Sequence, residues 1–206
     1  MKFLGADKVL CLSPHPDDVE LSMYGTIQKY ADTMFTIVCC SLGTKTDSYS
    51  TQDRHDEIKD FWAKAPKKPI LHFIDDWIEL RQEHEWVRLL ESQFVEDNTI
   101  VCCPSDADSH YEHRLIASAS YALTRYKPLG IVQYKTPSTL HAWVPNLYVS
   151  IDDYYHNKLC LLQTIHTQQN KIIFDPVTLE AMHKDVQTIK RGIPFTEFFK
   201  IITHYQ

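Results

Sequence analysis

Ser13-Pro14-His15-Pro16-Asp17-Asp18-Val19-Glu20 places an imidazole and two adjacent carboxylates in a turn that contains two prolines. Proline fixes its own φ and pushes the residue before it toward extended backbone, so this turn holds one shape. His15 and Asp18 offer the nitrogen and oxygen donors that a zinc-type ion accepts, and Asp17 lies between them with a carboxylate that need not bind metal. Much further along, Ser105-Asp106-Ala107-Asp108-Ser109-His110-Tyr111-Glu112-His113 adds two histidines and three carboxylates. A catalytic zinc needs three protein ligands and an open position, which His15, Asp18 and one histidine of this pair would supply.

Both segments follow short apolar runs, Val9-Leu10-Cys11-Leu12 and Thr99-Ile100-Val101-Cys102-Cys103, which read as buried strands. The chemistry therefore sits at strand ends. Leu21, Tyr24, Ile27 and Tyr30 set a helix over 20–31, followed by a strand over 35–42 and a polar loop over 43–51. Helices over 53–65, 78–95 and 112–125 alternate with strands over 69–74, 99–103 and 130–135. This alternation predicts a parallel sheet covered on both faces, and such sheets bind ligands beyond the carboxyl ends of their strands. Later the rhythm breaks. Strand material with turns is expected over 139–151, a helix over 152–167, and a last helix that Asp175-Pro176 opens and Arg191-Gly192 ends.

At 206 residues and 44% hydrophobic content, the chain suits one domain, 1–206, with a sizeable core. No apolar run reaches the ~20 residues that span a bilayer, and Ala6-Asp7-Lys8 follows the first residues where a signal peptide would be apolar, so a cytoplasmic location is expected. The six cysteines, including the pairs Cys39-Cys40 and Cys102-Cys103, read as reduced core residues. A net charge of −6 with scattered Lys and Arg argues against a nucleic-acid partner.

His15-Pro16-Asp17-Asp18-Val19-Glu20-Leu21, followed by Gly25-Thr26, and then Asp108-Ser109-His110-Tyr111-Glu112-His113-Arg114 resemble the two signature motifs of the PIG-L/LmbE zinc-dependent N-deacetylases. Val19-Glu20 after the Asp pair is most similar to the branch acting on N-acetylglucosaminyl-malate. Weaker marks are Arg54 with Glu57, Lys158 with His166-Thr167-Gln168, and Arg191-Gly192 with Glu197-Phe198. Tyr24 replaces a usual glycine and is expected to narrow the pocket, and Glu112 replaces a usual aspartate.

The resemblance implies a Rossmann-like three-layer α/β/α fold with a mainly parallel central sheet. It implies Zn2+, or another divalent transition metal, on His15, Asp18 and His113, with metal-bound water as nucleophile and Asp17 as general base. His110 would stabilise the oxyanion or protonate the leaving amine, and Asp108 or Glu112 would orient an imidazole. Arg54 would contact sugar hydroxyls or an acidic aglycone, or else pair with Glu57. Asp75 or Asp76 would meet sugar hydroxyls, and His141 is a further candidate for the pocket. The implied substrate is a small N-acetylated sugar conjugate. A zinc amidase on a non-sugar acyl-amine and a catalytically silent sugar-binding module are the alternatives, and the sequence leaves monomer or homo-oligomer open.

Overall fold

The computed structural model describes residues 1–41, 50–74, 76–123 and 128–204. Strands β1 (Lys8–Ser13), β2 (Met34–Cys39), β3 (Ile70–Phe73), β4 (Thr99–Pro104) and β5 (Gly130–Tyr134) run parallel, while β7 (Thr196–His204) pairs antiparallel with both β5 and β6 (Leu147–Ser150), in the order β3-β2-β1-β4-β5-β7-β6. Helices α1 (Asp18–Lys29), α2 (Thr51–Lys64), α3 (Glu83–Gln93) and α4 (Tyr111–Ala122) are the crossovers, and α5 (Asp152–Leu162), α6 (Pro176–Met182) and α7 (Val186–Ile189) follow. The strand side chains alternate between two cores. Val9 and Cys11 of β1 pack with α1, α2 and α5, whereas Leu10 and Leu12 pack with α3 and α4. Cys102 and Cys103 divide between the same two cores, as expected of reduced core thiols, while Cys160 is exposed.

β1 lies between β2 and β4, so the chain leaves it in one direction and later returns on the other side. The ends of two parallel strands that diverge in this way open a crevice, and both motif loops sit there. Among the described residues, no helix is long and apolar enough to cross a membrane.

Several boundaries differ from expectation for identifiable reasons. The 78–95 helix is a 3-10 turn at Ile78–Leu80 followed by α3, which restarts at a Gln82–Glu85 capping box, and Leu80 is consequently exposed. The last helix is split because the Asp185 side chain accepts from Gln187 N and Thr188 N and caps a new helix. β7 carries no alternating signal because Thr196, Glu197, Phe198 and Phe199 are all buried in a strand with neighbours on both sides. The polar loop falls largely on 42–49, outside the described residues.

The weaker motif marks prove to be one another's partners. Glu197 accepts from Gly25 N and Thr26 N at 2.9 and 2.7 Å and from Lys158 Nζ at 2.6 Å, tying β7 to α1 and α5. Glu57 accepts from Thr167 N and Oγ1 at 3.0 and 2.6 Å. Gly25 is required because a Cβ there would stand 2.4 Å from Ile151 Cγ2. Gly25→Ala is expected to cost about 1–3 kcal/mol in a denaturant-unfolding measurement, through overpacking.

His183 joins this buried cluster, with Nε2 2.7 Å from Lys158 Nζ and Nδ1 2.7 Å from Leu179 O. Burial and then the Lys158 charge hold its imidazole well below the ordinary 6.5. Below pH 6.5 the unfolded chain takes up a proton that the folded site refuses, so this contribution to stability is lost as pH falls. Urea unfolding at stepped pH should show a shallower loss of stability on the acid side for His183→Gln than for the wild type.

Candidate metal and catalytic site

The turn after β1 is fixed by its own hydrogen bonds. Ser13 Oγ donates to His15 O at 2.7 Å, and His15 N donates to Asp18 Oδ2 at 2.9 Å. That same oxygen lies 3.2 Å from His15 Nδ1 and 3.2 Å from His113 Nε2, and the two nitrogens are 3.2 Å apart. Three donor atoms thus form a near-equilateral triangle. Metal bonds of about 2.0–2.2 Å in a tetrahedron require donor separations of about 3.3 Å, so this donor set fits a zinc-type ion. His110 is near enough for its ring to be considered as well: His15, His110 and His113 each offer a nitrogen within 4.8 Å of the others.

The charges respond to this crowding. Burial pulls the His15 imidazole down, but hydrogen bonds to Asp18 and Glu112 override it and raise it from 6.5 to about 9. His113 is likewise pulled down by burial yet raised to about 10 by the Asp18 charge and by Asp108. Asp18 is held well below its ordinary value, the His113 and His15 partners outweighing its desolvation.

Each imidazole of the triangle has a carboxylate behind it. His113 Nδ1 lies 3.2 Å from Asp108 Oδ2, and Asp108 in turn accepts from Thr136 Oγ1 at 2.6 Å and from His110 N at 2.8 Å. His15 Nε2 lies 2.5 Å from Glu112 Oε2. Such outer partners set ring orientation and raise donor strength. Asp108→Asn is expected to weaken zinc binding roughly 10–100-fold in competition with a chromogenic chelator.

Asp17 stands beside the triangle and is held from another direction. Arg54 Nη2 donates to Asp17 Oδ2 at 3.1 Å and to Pro16 O at 2.6 Å. Burial raises the Asp17 carboxyl from 3.8 to about 6, against the pull of Arg54. Its φ of 122° is a left-handed value uncommon outside glycine, a strain that the surrounding bonds hold in place. Asp17, Arg54, His110 and the triangle line one pocket of about 230 Å³, whose other walls include Pro137, Ser138, Lys171 and Ile173. His110 occupies the N-cap position of α4 without a side-chain capping bond, and its Nδ1 is buried 3.8 Å from Glu112 Oε2, with no hydrogen-bond partner among the described residues. Burial and then the neighbouring His15 and His113 hold its imidazole below the ordinary value.

A sequence profile described as PIG-L, GlcNAc-PI de-N-acetylase, matches residues 10–124, more than half of the chain and both motif loops. The chain is a member of the PIG-L family. It is thereby a deacetylase, a metal-dependent amide hydrolase. This PIG-L protein is 28% identical over 165 residues to YaiS of Escherichia coli, described as an uncharacterized deacetylase, covering 75% of this chain and 88% of YaiS. In fold it is similar to the N,N'-diacetylchitobiose deacetylase of Pyrococcus horikoshii, with a TM-score of 0.79 at 23% identity, covering 97% of this chain and 85% of that one. The 4-carboxy-2-hydroxymuconate hydratase of Pseudomonas putida has a TM-score of 0.71 at 17% identity, covering 100% and 98%. The fold alone therefore does not specify the reaction.

The PIG-L pocket gathers His15, Asp17, Asp18, Arg54, His110 and His113, with Asp108 and Glu112 behind the histidines. Other expected residues lie elsewhere. Asp76 accepts from Trp77 N and pairs with Arg81 at 2.8 Å, away from the pocket lining, and Asp75 lies outside the described residues. His141 is exposed on a neighbouring cavity. Arg54 lines the pocket, but its guanidinium grips Asp17, while Glu57 is taken by Thr167. Tyr24 does not narrow the pocket; it is buried in the core against Phe61 and Trp62.

Three contributors escaped the sequence reading. Thr136 and Ser138 follow β5, and their position at the carboxyl end of a parallel strand was the available signal. Lys171, whose charge acts on Asp17, lies in a turn that carries no such signal.

Proposed function

We propose that this protein hydrolyses the N-acetyl group of an N-acetylglucosamine-type sugar conjugate, with zinc held by His15, Asp18 and His113. The observation that carries this reading is the 3.2 Å triangle of donor atoms with the Asp17 carboxylate beside it but not part of it. Zinc, when bound, supplies Lewis acidity toward water and the amide carbonyl. Asp17 accepts the proton of the attacking water as its oxygen bonds to the carbonyl carbon. Arg54 keeps that carboxylate aimed, through the bond at 3.1 Å. The His110 ring, which lines the pocket beside the triangle, stabilises the oxyanion. The C–N bond then breaks, the proton passes from Asp17 to the departing nitrogen, and acetate and a free amine leave. The intact set of Asp17, His110 and the triangle argues against a silent binding module.

The sugar preference draws on the family description and on Val19-Glu20, the feature most similar to the malate-conjugate branch. A pocket of about 230 Å³ has room for an acetamido group and the ring bearing it. The test is acetate release by zinc-loaded protein from methyl, malyl and inositol N-acetylglucosaminides, set against N-acetyl amino acids. Release from the sugars is expected. Release from the amino acids alone would move the assignment to a non-sugar amidase.

A further inference from the structure

A second, larger cavity of about 660 Å³ adjoins the metal pocket. Pro137 and Ile173 line both, so the turns Thr136-Pro137-Ser138 and Lys171-Ile172-Ile173 form a common wall. The first pocket falls below the roughly 300–1,000 Å³ usual for ligand sites, so a conjugate larger than one ring must extend beyond it. The adjoining cavity lies next to it, across the Pro137–Ile173 wall.

Its walls are chemically distinct from those of the metal pocket. Trp143, Met182, Phe198 and Ile172 make an apolar surface, and Ile172 is 78% exposed at the rim. The Trp143 N–H is already used, donating to Gln133 Oε1 at 2.8 Å, so its ring offers contact area and no further donor. Three charged side chains remain. Lys184 is paired with Glu180, and Asp185 accepts from Gln187 N and Thr188 N at the start of α7. Lys135 differs. Its Nζ sits 4.9 Å from the centroid of the Phe198 ring; the Asp185 carboxylate acts on it through space, but no carboxylate among the described residues is hydrogen-bonded or ion-paired to it.

We propose that this cavity is the subsite for the group attached to the acetylated sugar, and that it selects a group with an apolar body and an anionic end received by Lys135. The inference rests on the sugar reading above and adds to it a specificity determinant remote from the chemistry. An ammonium against an aromatic face in a half-buried cavity is only partly compensated, and a charge-assisted hydrogen bond from a ligand oxygen completes it.

The test uses 4-carboxyphenyl and 4-carbamoylphenyl glucosaminides, the amine products, which bind without turnover. Zinc-loaded protein is titrated with each in a calorimeter, and acetate release is followed separately from the two N-acetylated parents. Wild type is expected to bind the carboxylate about 10-fold more tightly than the carboxamide. That ratio should fall to near unity in Lys135→Met, which keeps the stem packed on Phe198, and should persist in Lys135→Arg. A ratio near unity in wild type, or one that survives Lys135→Met, overturns the proposal. Acetate release from neither parent, with the binding ratio intact, would refute the sugar deacetylase reading and leave the anion subsite standing.

Discussion

Asp17→Asn is expected to lower acetate release by roughly 10²–10⁴-fold while zinc content stays at one ion per chain. An amide can still accept the Arg54 hydrogen bond through its oxygen, and asparagine tolerates left-handed backbone, so the turn with φ of 122° at this position keeps its shape. What the substitution removes is the capacity to take a proton. Arg54 would then no longer face a carboxylate, but its bond to Pro16 O remains. Parallel loss of zinc in this variant would show instead that Asp17 serves as a ligand.

Asp18→Ala separates the two roles. It should abolish zinc binding and acetate release together, with an affinity loss beyond the roughly 10–100-fold that follows removal of an outer partner. Asp18 Oδ2 touches both imidazoles of the triangle and also accepts from His15 N. Its removal leaves two histidines without the carboxylate that completes the donor set. Metal analysis after dialysis, run beside Asp17→Asn, distinguishes a lost ligand from a lost base.

The two loops were legible because each carries its donors within a few residues and each follows an apolar run that reads as a strand. Which histidine points inward was less so. His110 occupies the N-cap position of α4, and His113 lies one turn inside it, where the side chain leans back toward the helix start and reaches Asp18. Only the folded chain fixes that direction. Arg54 shows the opposite case: its neighbour Glu57 is the natural local partner, yet Asp17, 37 residues away, wins because the first turn of α2 packs against the turn that follows β1, where Arg54 also reaches Pro16 O. The Glu197 tie to Gly25 spans 172 residues and leaves no local trace. β7 was hidden for a related reason, since a strand buried on both faces loses the alternation by which strands are recognised. The parallel core from β1 to β5 kept its helical crossovers and so was readable from periodicity alone.

The most direct measurement is acetate release from an N-acetylglucosaminide as zinc is added back to chelator-stripped protein, with bound metal counted at each step. Release that rises in proportion to bound zinc, levels off at one ion per chain and stays flat in Asp18→Ala is the predicted result. Full release before any metal is restored, or none from protein carrying one ion per chain, would contradict a metal-dependent N-acetylglucosaminide deacetylase built on His15, Asp18 and His113.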